Sequence, residues 1–196
     1  MMRINLILLA AGNSKRFNGN KLLVIYKEKP IYMHIVEKVL DLKVNKIICV
    51  TQYEEIKEAL LNTNINVVMN DNSSLGISSS IKLGINFDKN ADGYMFMVCD
   101  QPFISVQTLK SVIDNFINGD KGIVCVGCGD NKGNPVIFSK RYINELLSLE
   151  GDSGGKRILK GHLNDLNIVN VDNEIELIDI DTQEVFGKLT DLKCLH

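Results

Sequence analysis

Continuous apolar runs of strand length recur along this chain, at Leu6 to Ala11, at Lys46 to Thr51 and at Tyr94 to Cys99. A run with no polar face suits a strand covered on both sides, as strands are when a parallel sheet lies between helix layers. Helical patterns fill the intervals. Ile31, Ile35, Val39 and Leu42 share one face behind Pro30, which a first helical turn tolerates, and Glu54 to Leu61 reads as a second helix before a short strand at Asn66 to Met69. This β-α-β-α-β series requires parallel pairing through right-handed crossovers.

Further along, a polar stretch from Asn70 to Ser80 leads into a short helix and then the Tyr94 to Cys99 strand. Ser105 caps a helix whose Val106, Leu109, Val112, Ile113 and Phe116 keep helical spacing, and Gly122 to Val126 is another strand. The pattern then loosens into a loop over 128–134, a strand at Pro135 to Phe138, a helix around Arg141 to Leu149 and the glycine-rich Gly151 to Gly155. Final strands are predicted at Ile168 to Val171 and Leu177 to Ile180, and Asp181-Thr182-Gln183-Glu184 has capping-box spacing before a last helix. No repeat, low-complexity tract or linker interrupts the series. The predicted fold is one α/β domain over 1–196, three-layered and mostly parallel, with a more irregular C-terminal half.

Charge narrows the partners. The 22 basic and 24 acidic residues leave a net charge of −2, so no global field exists to hold a nucleic acid. Asn5 breaks the apolar start, and no run approaches the roughly 18 residues that span a bilayer, so no membrane is expected. Cys49, Cys99 and Cys125 sit in strand-like runs, which suits reduced thiols and a cytoplasmic location. Only four basic residues are arginine (Arg3, Arg16, Arg141 and Arg157), and two of them, Arg16 and Arg157, lie in glycine-rich polar stretches.

In open parallel sheets ligands collect beyond the carboxyl ends of the strands. After the first strand, Gly12 to Lys21 offers backbone N–H groups with Arg16 and Lys21 as charge for a polyphosphate; a solvated surface loop is the competing reading. The spacing is neither a P-loop nor a dinucleotide fingerprint. Asp100 ends the Tyr94 to Cys99 strand, where a carboxylate is placed to hold Mg²⁺ or, alternatively, to cap a turn before Pro102. Gly76 to Ser80, Gly151 to Gly155 and Asp181 allow close approach to a base or ribose, with Asp181 a second metal ligand or a helix cap and Asp152 better read as a cap. Gly76-Ile77-Ser78-Ser79-Ser80 lacks the last glycine of a hydrolase elbow, and Cys125-Val126-Gly127-Cys128 has no second pair to complete a zinc site.

Leu9 to Lys21 resembles the L-A-A-G-x-S-x-R-M-G-x-x-K signature of the molybdenum-cofactor nucleotidyltransferases, a MobA-like NTP transferase family. Cys99 to Pro102 is similar to that family's G-D-Q-P, Gly76 to Ser80 to its G-x-S-x-S, and Lys132 to Pro135 to its G-x-P segment. Gly151-Asp152 and Asp179 to Thr182 are similar to its late G-D and D-x-D-T. Asn18 and Cys99 stand where the family has glycine, and Ala11 resembles the cytidylyl branch rather than its guanylyl relatives.

The resemblance implies a Rossmann-like fold of the nucleotide-diphospho-sugar transferase type. It also implies transfer of CMP from CTP to the phosphate of molybdopterin or molybdenum cofactor, with Mg²⁺ as cofactor. Arg16, Lys21 and Asp100 would be catalytic, and Asp100 and Asp181 would hold the metal. Leu9, Ala10, Ala11, Gly12, Ser14, Lys15, Arg16, Lys21, Asn70, Gly76, Ser80 and Asp100 would bind nucleotide. A molybdenum hydroxylase apoenzyme or its chaperone would receive the product. GTP as donor, a sugar phosphate or phospholactate as acceptor, and a non-catalytic nucleotide-binding module are the alternatives.

Overall fold

The computed structural model describes residues 2–14, 16–17 and 19–191. Its centre is a seven-stranded sheet built from β1 (Ile4–Ala10), β4 (Lys46–Thr51), β5 (Ile65–Met69), β6 (Gly93–Val98), β7 (Ile123–Cys128), β8 (Asn131–Ser139) and β9 (Leu166–Asn170). A two-stranded ribbon, β2 (Ile25–Tyr26) with β3 (Lys29–Pro30), stands apart from it. The sheet runs in the order β5-β4-β1-β6-β8-β7-β9. Every neighbouring pair is parallel except those made by β8, which lies antiparallel between β6 and β7.

Pleating sends alternate side chains of each strand to opposite faces. Leu6, Leu8 and Ala10 pack with Val36 and Val39 of α1 (Ile31–Leu40), Ile56 and Leu60 of α2 (Glu54–Leu60), and Leu109 and Val112 of α4 (Val106–Asn118). Ile7, Phe96 and Phe138 face the other way, toward Ile81 and Ile85 of α3 (Ile77–Phe87), Leu146 of α5 (Ile143–Leu147) and Ile158 and Leu159 of α6 (Lys156–Gly161). Helices therefore cover both faces, which is why β1 carries no polar face. Asn5 is the buried exception: its amide donates to the Asp88 carbonyl at 3.3 Å and its oxygen accepts from Asn45 at 2.7 Å.

Chain order reverses beside β1, since β4 and β5 continue on one side and β6 begins the other. That reversal opens a crevice at the carboxyl ends of β1 and β6, where a sheet of this type receives ligands. A smaller aromatic cluster closes one end of it. Phe17 meets Phe186 of α7 (Gln183–Asp191) edge-on at 6.3 Å, and Tyr26 meets Phe103 at 5.8 Å.

Several local readings differ from the sequence pattern. Leu177 to Ile180 forms no strand: a 3-10 turn at Glu174–Leu177 leads into an extended segment whose Ile180 N–H donates to the Asp100 carbonyl at 2.9 Å. The 128–134 loop shrinks to a tight hairpin, with Gly129 at φ +57 between β7 and β8, because Lys132 and Gly133 join the ladder. The helix after Ser80 begins earlier and is longer, at Ile77, and the one around Arg141 shortens to a 3-10 turn plus Ile143–Leu147. Ser105 caps α4 as its position predicts, accepting from the Thr108 N–H at 3.0 Å.

Helix α3 lies so close to β1 that a Cβ on Gly84 would stand 2.5 Å from Ile7 Cγ2. Gly84→Ala should therefore lower stability by about 1–2 kcal/mol despite alanine's better helix propensity, because a packed interior yields little room. Thermal denaturation should show Tm falling by about 3–6 °C.

Candidate functional site

Strand β1 ends in the segment Ala11 to Asn20, whose carbonyls are tied back to the neighbouring β4–α2 connection. Gln52 Nε2 donates to the Ala11 carbonyl at 2.9 Å, and Tyr53 OH donates to the Gly12 carbonyl at 2.6 Å. With the carbonyls held, the N–H groups of Gly12 and Asn13 make no hydrogen bond among the described residues. Backbone N–H groups left unpaired at a strand end form a concavity for an anion. Ser14 holds φ at +47, unusual for a residue with a side chain, and its Oγ accepts from the Lys21 N–H at 3.3 Å.

Opposite this loop, Lys21 joins two carboxylates from distant parts of the chain. Its Nζ donates to Asp100 Oδ2 at the end of β6 and to Asp181 Oδ1 at 2.7 Å, while Arg16 Nη2 donates to Asp181 Oδ2 at 2.8 Å. Burial alone would lower the Lys21 pKa, but Asp100 and then Asp181 outweigh it and hold the ammonium above its ordinary value. Burial would likewise raise Asp181, and the hydrogen bond and charge of Lys21, followed by Arg16, hold it below the usual carboxylate range instead. Asp179, on the same segment, has no such cation, and burial of its carboxyl beside Asp100 and Asp181 pushes it up to about 6.

Asp100 Oδ1 is buried without a hydrogen-bond partner. A buried anionic oxygen left open is costly unless something else satisfies it. With Asp181 beside it, the pair suits a hard divalent cation that takes one or two carboxylates and completes its shell from substrate phosphates and water. Among the described residues no group of three or more His, Cys, Asp or Glu side chains forms a complete metal cage, so the protein's share of such a site is these two carboxylates.

The third wall comes from α3 and the 151–155 loop. Gly76 adopts φ +88, and a Cβ there would stand 2.4 Å from the carbonyl carbon and oxygen of Gly151, so only glycine lets the two loops meet. The Ser78 N–H donates to the Gly151 carbonyl at 3.2 Å. The cleft enclosed by these walls, about 330 Å³, is lined by Leu9, Ala11, Gly12, Ser14, Arg16, Lys21, Gly76, Ser80, Asp100 and Asp181, together with Asn13, Ser73 and Asp152.

Two expected nucleotide residues lie behind the cleft wall. Ala10 packs in the core, and Asn70 is 1% exposed, its amide donating to Ser79 Oγ and Ser80 Oγ at 2.9 Å. Lys15 and Asn18 lie outside the described residues. Asp152 caps no helix, since α6 starts only at Lys156, and it stands on the cleft wall instead. Asp181 is not the cap of α7 either: Thr182 Oγ1 accepts from the Val185 N–H at 3.2 Å, which frees Asp181 for the cations. Cys99 directs its side chain into the core, where burial keeps the thiol protonated, so the departure from glycine leaves the cleft clear. Gln52, Tyr53 and Asn13 were missed by sequence reading, because nothing in Gln52-Tyr53 signals that they return to hold a loop some forty residues earlier.

A family model of the MobA-like NTP transferase domain matches residues 6–166. Among curated proteins the chain is 29% identical over 119 residues to the bifunctional protein GlmU of Staphylococcus haemolyticus, covering 58% of this chain and 26% of that protein. GlmU of Francisella tularensis subsp. novicida is 25% identical over 203 residues, covering 92% of the chain and 44% of that protein. The chain thus spans less than half the length of these relatives. In fold it is similar to Rv0371c of Mycobacterium tuberculosis H37Rv, with a TM-score of 0.81 and 24% identity over 97% of this chain and 99% of that one. A manganese complex of Rv0371c superposes with a TM-score of 0.80 at 21% identity, covering 97% and 99% of the two chains. CMP:2-keto-3-deoxy-manno-octonic acid synthetase complexed with CTP gives 0.80 at 12% identity, covering 98% of each chain.

Replacing Lys21 with methionine keeps the stem and removes the charge that Asp100 and Asp181 share. Lys21→Met should cost about 1–2 kcal/mol near neutral pH, because two partly buried carboxylates then face each other unpaired. The sign follows from linkage: the variant's carboxylates bind protons more readily folded than unfolded, so its stability falls as pH rises through the carboxylate range. Melting curves from about pH 4 to 7.5 should show the gap to the unsubstituted protein widening upward.

Proposed function

The chain belongs to the MobA-like NTP transferase domain family, and from that premise we propose that it is a nucleotidyltransferase moving CMP from CTP to the phosphate of molybdopterin or molybdenum cofactor. The observation that carries this reading is the Lys21–Asp100–Asp181 arrangement beside the open N–H groups of Gly12 and Asn13. It joins an anion cradle, two cations and a carboxylate pair in one cleft. These are the parts a phosphoryl-type transfer needs, since a phosphate monoester is already a nucleophile and catalysis reduces to alignment and charge neutralisation.

In this scheme the loop from Gly12 to Arg16 holds the β- and γ-phosphates, and Lys21 leaves the carboxylates to meet charge developing on the α-phosphate. Leu9, Ala11, Gly12, Gly76 and Ser80 line the end of the cleft that takes the base and ribose, while Asn70 acts from behind by fixing Ser79 and Ser80. Asp100 and Asp181 would hold a divalent cation, proposed to be Mg²⁺, which when bound supplies charge neutralisation at the triphosphate. The manganese complex of Rv0371c and the CTP complex of the octonic acid synthetase support a divalent cation and a cytidine donor in this fold. Ala11 in place of a second glycine supports CTP over GTP. The proposed place of action is the cytoplasm, supported by buried free thiols at Cys49, Cys99 and Cys125, and a molybdenum hydroxylase apoenzyme or its chaperone is the proposed recipient. Among the described residues no helix is long and apolar enough to cross a membrane.

Pyrophosphate release from CTP with molybdopterin and Mg²⁺ should be readily measured and should exceed that from GTP by about tenfold or more. Asp100→Asn should reduce it by at least about a hundredfold while leaving the melting temperature within a few degrees.

A further inference from the structure

A second cavity, about 270 Å³, opens off the nucleotide cleft and shares Leu9, Ile77 and Asp152 with it. Its lining is apolar, made by Leu9, Ile77, Phe96, Val136, Phe138 and Leu159. At its far end Gly133, Asn134 and Lys156 pass it into a polar basin of about 290 Å³ that also holds Lys132, Asn131 and Gln101. Gln101 follows Asp100, so the basin ends beside the carboxylate pair.

The two lysines of this basin differ from others on the surface. Lys29, Lys46, Lys57 and Lys188 each have a carboxylate partner, whereas Lys132 and Lys156 form no ion pair or side-chain hydrogen bond among the described residues. Glu174 and Asp179 line the same basin, so the positive charge is local to the lysine side rather than a broad basic patch.

We propose that slot and basin together seat the acceptor, the slot taking a flat, largely apolar ring and Lys132 with Lys156 taking its phosphate. The proposal rests on the nucleotidyl-transfer reading and adds the acceptor's chemical class to it. A sugar in the slot would leave hydroxyls facing Phe96, Val136 and Phe138 without partners, so sugar phosphates are rejected by desolvation. A flat ring loses nothing there, and two ammonium groups without carboxylates match a phosphate dianion. In the transfer, one oxygen of that phosphate bonds to the α-phosphorus. The bond from the α-phosphorus to the oxygen bridging to the β-phosphate breaks, and its electron pair leaves on pyrophosphate.

The test uses 1-naphthyl phosphate, glucose 1-phosphate and inorganic phosphate as probes, titrated calorimetrically with and without saturating CTP and Mg²⁺. Naphthyl phosphate should bind at least about tenfold tighter than the other two. The Lys132→Ala/Lys156→Ala double variant should lose about tenfold or more in affinity for it with CTP affinity unchanged. A Cβ on Gly154 would stand 3.7 Å from Ile77 Cγ2, so Gly154→Leu fills the slot and should erase the ring preference while inorganic phosphate still binds. Equal binding of the three probes, or affinities unmoved by these variants, would overturn the proposal and leave the nucleotidyl-transfer reading standing. Protein that holds naphthyl phosphate with the predicted variant effects but binds no CTP would support the slot and contradict that reading.

Discussion

The shared cation at Lys21 is the interaction on which this site depends. It joins Asp100 and Asp181, which lie 79 and 160 residues further along the chain. Bringing two carboxylates into a half-enclosed cleft is unfavourable by itself, through desolvation and mutual repulsion. One ammonium between them, with Arg16 on the outer oxygen, makes the arrangement tolerable while the cleft holds nothing else. The same groups can then be redistributed, cations to phosphates and carboxylates to a divalent metal, without any new charge entering the protein. A net charge of −2 conceals this because the opposed charges are equal and local.

Delivering Asp181 to Lys21 is the work of the irregular C-terminal half. Glu176 accepts from the Ser105 N–H at 2.8 Å and from Thr108 Oγ1 at 2.7 Å, Gln101 Nε2 donates to the Leu177 carbonyl at 3.3 Å, and the Ile180 N–H reaches the Asp100 carbonyl. Lys38 of α1, its pKa lowered by burial, holds the carbonyls of Pro102 and Ile104 at 2.6 and 2.8 Å. The segment is therefore laced to the loop after β6, and Phe17 against Phe186 fastens its far end to the loop after β1. A regular strand at 177–180 would have spent these backbone groups on a neighbour and left Asp181 elsewhere.

The layered architecture was legible because burial on both faces leaves a strong mark: β1, β4 and β6 are apolar throughout, and the helices between them are amphipathic. Asp100 was legible for the same reason, as a charge stranded at the end of such a strand. The partners that orient the site were not. Gln52, Tyr53 and Lys38 act through contacts far apart in sequence, and no local pattern encodes them. Capping readings of Asp152 and Asp181 failed because residue type permits a cap without requiring one, and Thr182 supplied the hydroxyl for α7. Asn70 read as a ligand residue from its polar neighbourhood, whereas burial turned it into a brace for Ser79 and Ser80.

A crystal structure of the protein with CTP and manganese, read by the metal's anomalous signal, tests the central claim most directly. The account predicts a single strong peak between Asp100 and Asp181, with Lys21 Nζ moved from the carboxylates onto a phosphate oxygen. Manganese bound elsewhere, or Lys21 still bridging the two aspartates beside a fully ordered triphosphate, would contradict it.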